Sequence, residues 1–235
     1  MAGHAGRIEE ISELAQPGVR ILWLGDSALT VEFPEEDAAR VLSLAAALDE
    51  EIAENRLPGA QETVPALRSV TLHFDPLTAE PDRWLDRVRE LASHPPRPLA
   101  DAREWELPVC FDADFAPDLA DIAASPKDFI EALTAQTVTV KMLGFLPGFA
   151  YMGDIPALCR APRRKTPRSA VPAGSVAVAG AMCAAYPWTS PGGWNLVGRT
   201  PVSLFDPSRR DRPALLAPGD VVRWRPMSRA EFERS

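Results

Sequence analysis

Long apolar runs are missing from this chain: no segment approaches the roughly 18 uninterrupted apolar residues that a membrane span requires. The first residues, MAGHAGRIEEISEL, carry acids where a secretory signal would need an apolar core. The expectation is a soluble, cytoplasmic protein with no membrane partner. Histidine is scarce, with only His4, His73 and His94, so chemistry in the second half must proceed without an imidazole base. The three cysteines, Cys110, Cys159 and Cys183, are odd in number and lack CxxC spacing. They exclude a disulfide framework and a zinc site, and no metal ligands are assigned. Positive charge is in deficit: the formal net charge is −8, a long-range field that repels nucleic acid and anionic membranes. The phosphate loops GxxxxGK[ST] and GxGxxG are absent, as is the GxSxG context of a serine hydrolase.

What is present is an ordinary globular balance, 46% hydrophobic and 25% charged residues. Val19–Leu24 and Ala28–Phe33 read as short strands around the turn Gly25-Asp26. From Asp37 to Glu54, apolar residues at Val41, Leu42, Leu44, Ala45, Leu48 and Ile52 keep helical spacing. Arg68–Phe74 alternates as a half-buried strand, and a second helix carries Trp84, Leu85, Val88 and Leu91 on its apolar face. This order predicts a small α+β domain with helices covering one face of an antiparallel sheet. Ser93-His94-Pro95-Pro96-Arg97-Pro98 cannot continue a helix and reads as a linker. The domains are therefore placed at 1–98 and 99–235. In the second, Glu106–Phe111 and Thr137–Leu143 are strand candidates, and Ser125-Pro126-Lys127-Asp128 has the form of a helix start. From Gly144, short apolar runs (Ser175–Ala179, Val202–Phe205, Val221–Trp224) alternate with Pro/Gly turns until Ser228, which predicts an all-β barrel.

Three segments stand out: GFLPGFAY from Gly144, VPAGSVAVAG from Val171 and YPWTSPGGWNLVGRTP from Tyr186. Glycine and proline in such loops hold backbone N–H groups in fixed directions beside aromatic walls, an arrangement suited to a small ligand with a carboxylate, amide or phosphate. The substrate- or nucleotide-binding candidates are Phe145, Pro147, Gly148, Phe149 and Tyr151 in the first segment, and Pro172, Gly174 and Ser175 in the second. The third adds Tyr186, Ser190, Pro191, Gly192, Gly193, Trp194, Arg199 and Thr200. Arg164 and Arg168 are candidates for binding an anion. The same turns and aromatics serve any compact barrel, and a basic run such as 163–168 is more often a solvated face. Asp112, Asp114 and Asp118 lack a calcium-loop pattern and read as solvated loop acids. No residue is assigned as catalytic base.

The segments GFLPGFAYMG, VPAGSVAVAG and YPxxSPGGWNLVGRTPxxLFD, closing with LLAPGDVVRW, occur in order after LGDSALTVEF, VPALRSVTLHFDP and ELPVCFDADFAPDL. Together they resemble the family that comprises the B component of 5-oxoprolinase, allophanate hydrolase subunit 1 and the Kip-type (KipI) inhibitor of a sporulation histidine kinase. The resemblance implies an α+β N-terminal domain followed by an all-β cyclophilin-like barrel. It also implies a partner, the C component of 5-oxoprolinase or its allophanate hydrolase subunit 2 homologue, with the A component as a further member. The activity implied is ATP-dependent opening of 5-oxo-L-proline to glutamate by a hetero-oligomeric complex to which this chain contributes, inactive alone. ATP with magnesium would be bound at a site shared with the partner. The alternatives are a regulatory protein that binds a sensor histidine kinase, or a role within a complex of allophanate and urea metabolism. No amidase Ser–Lys machinery is present for cleaving allophanate directly.

A cyclophilin-like fold licenses no chemistry by itself. A prolyl-isomerase assay on X-Pro peptides is expected to read no catalysis above the spontaneous rate, and clear catalysis would overturn that expectation.

Overall fold

The strand β1 (Glu10–Glu13) pairs antiparallel with β2 (Arg20–Trp23). The chain then reverses through Gly25, whose φ of +70° is easy only for glycine, into β3 (Ala28–Glu32). In the computed structural model, residues 10–13, 18–99 and 102–235 are described; most of the opening MAGHAGRIEEISEL stretch, including His4, lies outside them. The chain divides into two compact units, Met1–Ala100 and Asp101–Ser235.

In the first unit, Asp37 caps α1 (Ala38–Ala53) by accepting a hydrogen bond from the Arg40 N–H at 3.0 Å. The strands β4 (Ala60–Pro65) and β5 (Ser69–Phe74) complete a sheet of order β1-β2-β3-β5-β4, followed by α2 (Leu85–Ser93). Val31, Val70, Leu72 and Phe74 from the sheet meet Val41, Leu44, Leu48, Val88 and Leu91 from the helices in one core. The expected α+β arrangement is thus present. The edge strand β4 goes beyond that expectation, because Gln61 and Glu62 are exposed and Val64 is 41% exposed, leaving no apolar alternation to read.

Glu51 lies on the buried side of α1, 2% exposed. It receives Arg56 Nε at 2.7 Å and Arg87 Nη2 at 2.6 Å, joining α1 to α2. A buried carboxylate needs such partners to remain ionised. The hydrogen bonds from Arg56 and then Arg87 outweigh burial and lower its pKa to about 2.

The second unit contains β6 (Glu104–Cys110), α3 (Leu119–Ile122), α4 (Pro126–Ala135), β7 (Thr137–Leu143), β8 (Ala150–Gly153), β9 (Arg168–Val171) and β10 (Ser175–Ala179). It continues through β11 (Met182–Ala185), β12 (Ser190–Gly192), β13 (Asn195–Arg199), β14 (Val221–Met227) and α5 (Arg229–Phe232). A closed barrel runs β10-β11-β8-β7-β14-β6-β13, while β9 and β12 form a separate pair. Its seam is unequal: β6 pairs parallel with β14 from Glu104↔Val221 to Cys110↔Met227, but meets β13 only at Cys110↔Arg199. Val109, Val140, Met152, Val178, Cys183, Val222 and Trp224 belong to the main barrel core. The Ser125 cap and Pro126 start α4 as expected, and Phe129 and Leu133 join that core.

The run Val202–Phe205 forms no strand. Pro201 has no N–H, the Val202 N–H donates to the Thr200 hydroxyl at 3.2 Å, and Phe205 makes only an isolated bridge to Ala214. All three cysteines are buried and unpaired. Burial pushes the Cys159 thiol up to about 11 and Cys183 to about 12, values that leave both unreactive at neutral pH.

Because the Glu51 pKa is lowered on folding, its contribution to stability is present above pH 4.5 and is lost as pH falls toward about 2. Acid titration of the unfolding midpoint in wild type and Glu51→Gln should show a gap at neutral pH, with wild type more stable. That gap should close through this window. A gap that does not change with pH would contradict the assignment.

Candidate functional site

β10 is buried on both faces. Val176 and Val178 belong to the main core, while Ala177 and Ala179 join Ala184, Tyr186, Trp194 and Phe149 in a second cluster. The alternation follows from the two-residue period of a strand. The alanines keep the sheet surface low, leaving room for large rings above it. Phe149 is the centre, 1% exposed, with ring centroids 4.9 Å from Tyr151, 5.1 Å from Tyr186 and 5.9 Å from Trp194. These contacts are edge-to-face, the favoured geometry between aromatic quadrupoles. Phe145 extends the set outward, 5.4 Å from Phe149 and 59% exposed, with the unusual φ of +69°. A left-handed phenylalanine costs on the order of 1–2 kcal/mol, and here it turns the GFLPGF loop so that an aromatic ring stands at the surface.

Both tyrosines of the chain lie in this cluster. Burial raises the pKa of Tyr151, with Arg163 opposing. It also raises Tyr186, with the Trp194 backbone and nearby Arg163 opposing. Both phenols are therefore protonated donors at neutral pH. The Tyr151 hydroxyl makes no hydrogen bond among the described residues. Arg163 sets its guanidinium 5.7 Å from the Trp194 ring and has no carboxylate partner among the described residues. Gly192 is required beside this wall: a Cβ there would stand 2.4 Å from the Tyr186 hydroxyl. Phe149, Tyr186 and Trp194 are buried, so the edge of this cluster that can meet a small polar molecule carrying negative charge is Phe145, the Tyr151 phenol and the Arg163 cation.

Asp118 lies behind this surface, 3% exposed, and its burial corrects the expectation of a solvated loop acid. Its carboxylate accepts from the Leu196 N–H of β13 at 2.7 Å, from Arg164 at 2.5 Å and from Arg168 at 2.7 Å. Burial alone would raise its pKa, but the Arg168 and Leu196 hydrogen bonds and the two positive charges bring the net shift below the ordinary value. Arg164 and Arg168 thus both pair with an internal carboxylate, while Arg164 Nε and Arg168 Nη1 stay without a hydrogen-bond partner among the described residues. Asp112 and Asp114 pair instead with Arg229 on α5. No local pattern marks Asp118 in the sequence, since its partners lie 46, 50 and 78 residues away.

The remaining candidates serve the turn Pro172–Ser175. The Gly174 N–H donates to the Tyr186 carbonyl at 2.7 Å, and Thr200 N–H donates to the Gly174 carbonyl at 2.8 Å. Gly174 has φ +79°, and a Cβ would meet the Thr200 carbonyl at 2.3 Å. Ser175 and Thr200 are buried, and the Ser190 hydroxyl donates to the neighbouring Pro191 carbonyl, so none is an activated nucleophile. Gly148 sits against Leu204 and Phe205, while Pro147 accepts from the exposed Trp188 indole at 3.3 Å. Gly193 accepts from the Arg164 N–H at 2.8 Å. Arg199 has different neighbours from the phenol wall. Its Nε donates to the Ala173 carbonyl at 3.0 Å, and its guanidinium lies 5.8 Å from Phe115 and 6.0 Å from Phe232. Its terminal nitrogens carry no hydrogen bond among the described residues.

Residues 19–216 match the family model described as carboxyltransferase domain, subdomain C and D. The chain is similar to the B component of 5-oxoprolinase from Bacillus subtilis, 35% identical over 227 residues covering 89% of this chain and 93% of that protein. It is also similar to the solved structure of TTHA0988, with TM-score 0.73 and 35% identity over 86% of this chain. This chain covers only 40% of that longer one. Kluyveromyces lactis urea carboxylase shares the fold, with TM-score 0.75 over 96% of this chain and 24% of the other, at 20% identity.

Asp118→Ala leaves two arginines facing a buried gap, at a cost of about 3 kcal/mol. The segment 160–168 should detach from β13. Limited trypsin digestion is expected to cut within 163–168 faster in the variant while the rest of the barrel persists; unchanged cleavage would show that other contacts hold the segment.

Proposed function

This chain belongs to the family of the 5-oxoprolinase B component, and from that premise we propose that it works as one member of a 5-oxoprolinase complex. The observation that carries the proposal is the likeness to a protein of that name along nearly the full length of both chains. The proposed partner is the C component homologue, with the A component completing the assembly in the cytoplasm. In support, Phe145 at the edge of the aromatic cluster is 59% exposed, and Trp188, packed on Phe205, is 42% exposed, apolar area of the kind that partner contacts cover.

The chemistry proposed is ATP-dependent opening of 5-oxo-L-proline. A lactam resists hydrolysis because its amide is resonance-stabilised, and phosphorylating its oxygen supplies a leaving group. This requires donors around the lactam and cations around the phosphoryl oxygens. Tyr151 supplies a free neutral phenol for the lactam, and Arg163 a cation for its carboxylate. Arg199 offers unpaired N–H groups for an anionic group brought by the partner. Among the described residues, no three His, Cys, Asp or Glu side chains converge as a metal site. Magnesium is accordingly proposed to arrive with ATP. No imidazole lies in this unit, so a general base would come from the partner.

The deciding measurement is ATP-dependent release of glutamate from 5-oxoproline by this chain co-expressed with the A and C components. Turnover should vanish when this chain is omitted, and a well-assembled complex without turnover would overturn the reading. Arg199→Ala should lower turnover roughly 100-fold with assembly intact. Full activity in that variant would remove Arg199 from the site.

A further inference from the structure

A polar cavity lies in the second unit, built from residues that none of the three glycine-rich segments contains. It is an open cavity of about 330 Å³ lined by Arg103, Trp105, Arg209, Arg210, Arg212 and Leu215, with Ala214 and a single acid, Asp211. In a chain whose net charge is −8, four guanidiniums around one cavity are a local inversion of sign.

The frame of this cavity is preorganised. Asp220, 1% exposed, accepts from Trp105 Nε1 at 2.8 Å, Arg212 Nη2 at 3.0 Å, and the N–H groups of Arg103 at 3.0 Å and Ala217 at 2.9 Å. Its charge is thus fully used in fixing the indole and the Arg212 side chain. Arg209 is held by Asp206 at 3.4 Å. The Arg103 and Arg210 side chains have no carboxylate partner among the described residues. Two free guanidiniums flanking an immobilised indole, with Leu215 beside it, combine anion recognition with an apolar plate. A single phosphate would fill little of the volume, and a carboxylate would leave the indole without a role. Buried Asp220 cannot repel the ligand strongly, because Arg212 neutralises it.

We infer that this cavity binds the polyphosphate chain of a nucleotide, with Arg103 and Arg210 on the phosphates and Trp105 against the nucleoside. The inference rests on the reading of this chain as a member of an ATP-consuming complex, and it assigns a place to a nucleotide for which the sequence has no phosphate loop.

The test is calorimetric titration of the full chain with ATP at low salt, in wild type and in the double variant R103Q/R210Q. Wild type should bind, inorganic tripolyphosphate should compete, and adenosine should not. The double variant should lose about tenfold or more in affinity, while R223Q, outside the cavity, should not. Absence of binding by wild type, unchanged affinity in R103Q/R210Q, or competition by adenosine but not tripolyphosphate would each overturn the inference. Glutamate release by the assembled complex separates the two readings. Turnover with unchanged ATP affinity in R103Q/R210Q removes this cavity and leaves the enzyme reading standing. Loss of affinity without any 5-oxoproline turnover does the reverse.

Discussion

The Asp118 carboxylate is the constraint on which the aromatic surface depends. An ionised carboxylate taken out of water is costly unless its lone pairs are filled, and here three separate pieces of chain fill them. The Leu196 N–H comes from the barrel wall, Arg164 from the loop after Ala161, and Arg168 from the start of β9. These bonds fix the loop in register with β13, and Arg163, one residue before Arg164, is thereby carried over Trp194. The carboxylate of this clamp is buried, whereas Arg163, the group it positions, is exposed.

The aromatic surface obeys a complementary constraint of volume. Ala177, Ala179 and Ala184 keep the sheet floor low, and Gly192 clears space for the Tyr186 hydroxyl. Four rings then pack edge-to-face around Phe149. Larger residues on the floor would displace the rings, and a side chain at position 192 would displace the phenol. Small residues here are as specific as the large ones they accommodate.

Much of the fold is legible in the sequence because its signals are local. The cap-and-proline start of α4, the alternation of β5 and the helical stripe of α1 each lie within a dozen or so residues, and each forms where expected. The edge strand β4 escapes because its exposed polar residues carry no alternation, and Val202–Phe205 misleads because apolar content alone does not make a ladder. For the candidate site, the glycine-rich segments supply the rings that pack together around Phe149. What they conceal is the pairing: Arg164 and Arg168, candidates for binding an anion, share one internal carboxylate, and Asp118 looks like a surface acid but is that buried partner. Asp220 and the arginines around Trp105 are invisible for the same reason, since Trp105 and Asp220 lie 115 residues apart. Pairings at that range leave no periodic trace in a sequence.

The unequal seam of the barrel has a consequence for how the chain is made. β6 emerges early from the ribosome, yet its long parallel partner is β14, whose first pair joins Glu104 to Val221. Until β14 appears, β6 has one short contact to β13 and an otherwise open edge. Closing so large a loop is entropically slow, and exposed edges invite pairing with other chains. The first unit has its own core and can be complete while the second is still being translated. Production of this protein is therefore governed by its last strand: a ribosome that stalls before Val221 releases a folded N-terminal unit attached to an unsealed sheet.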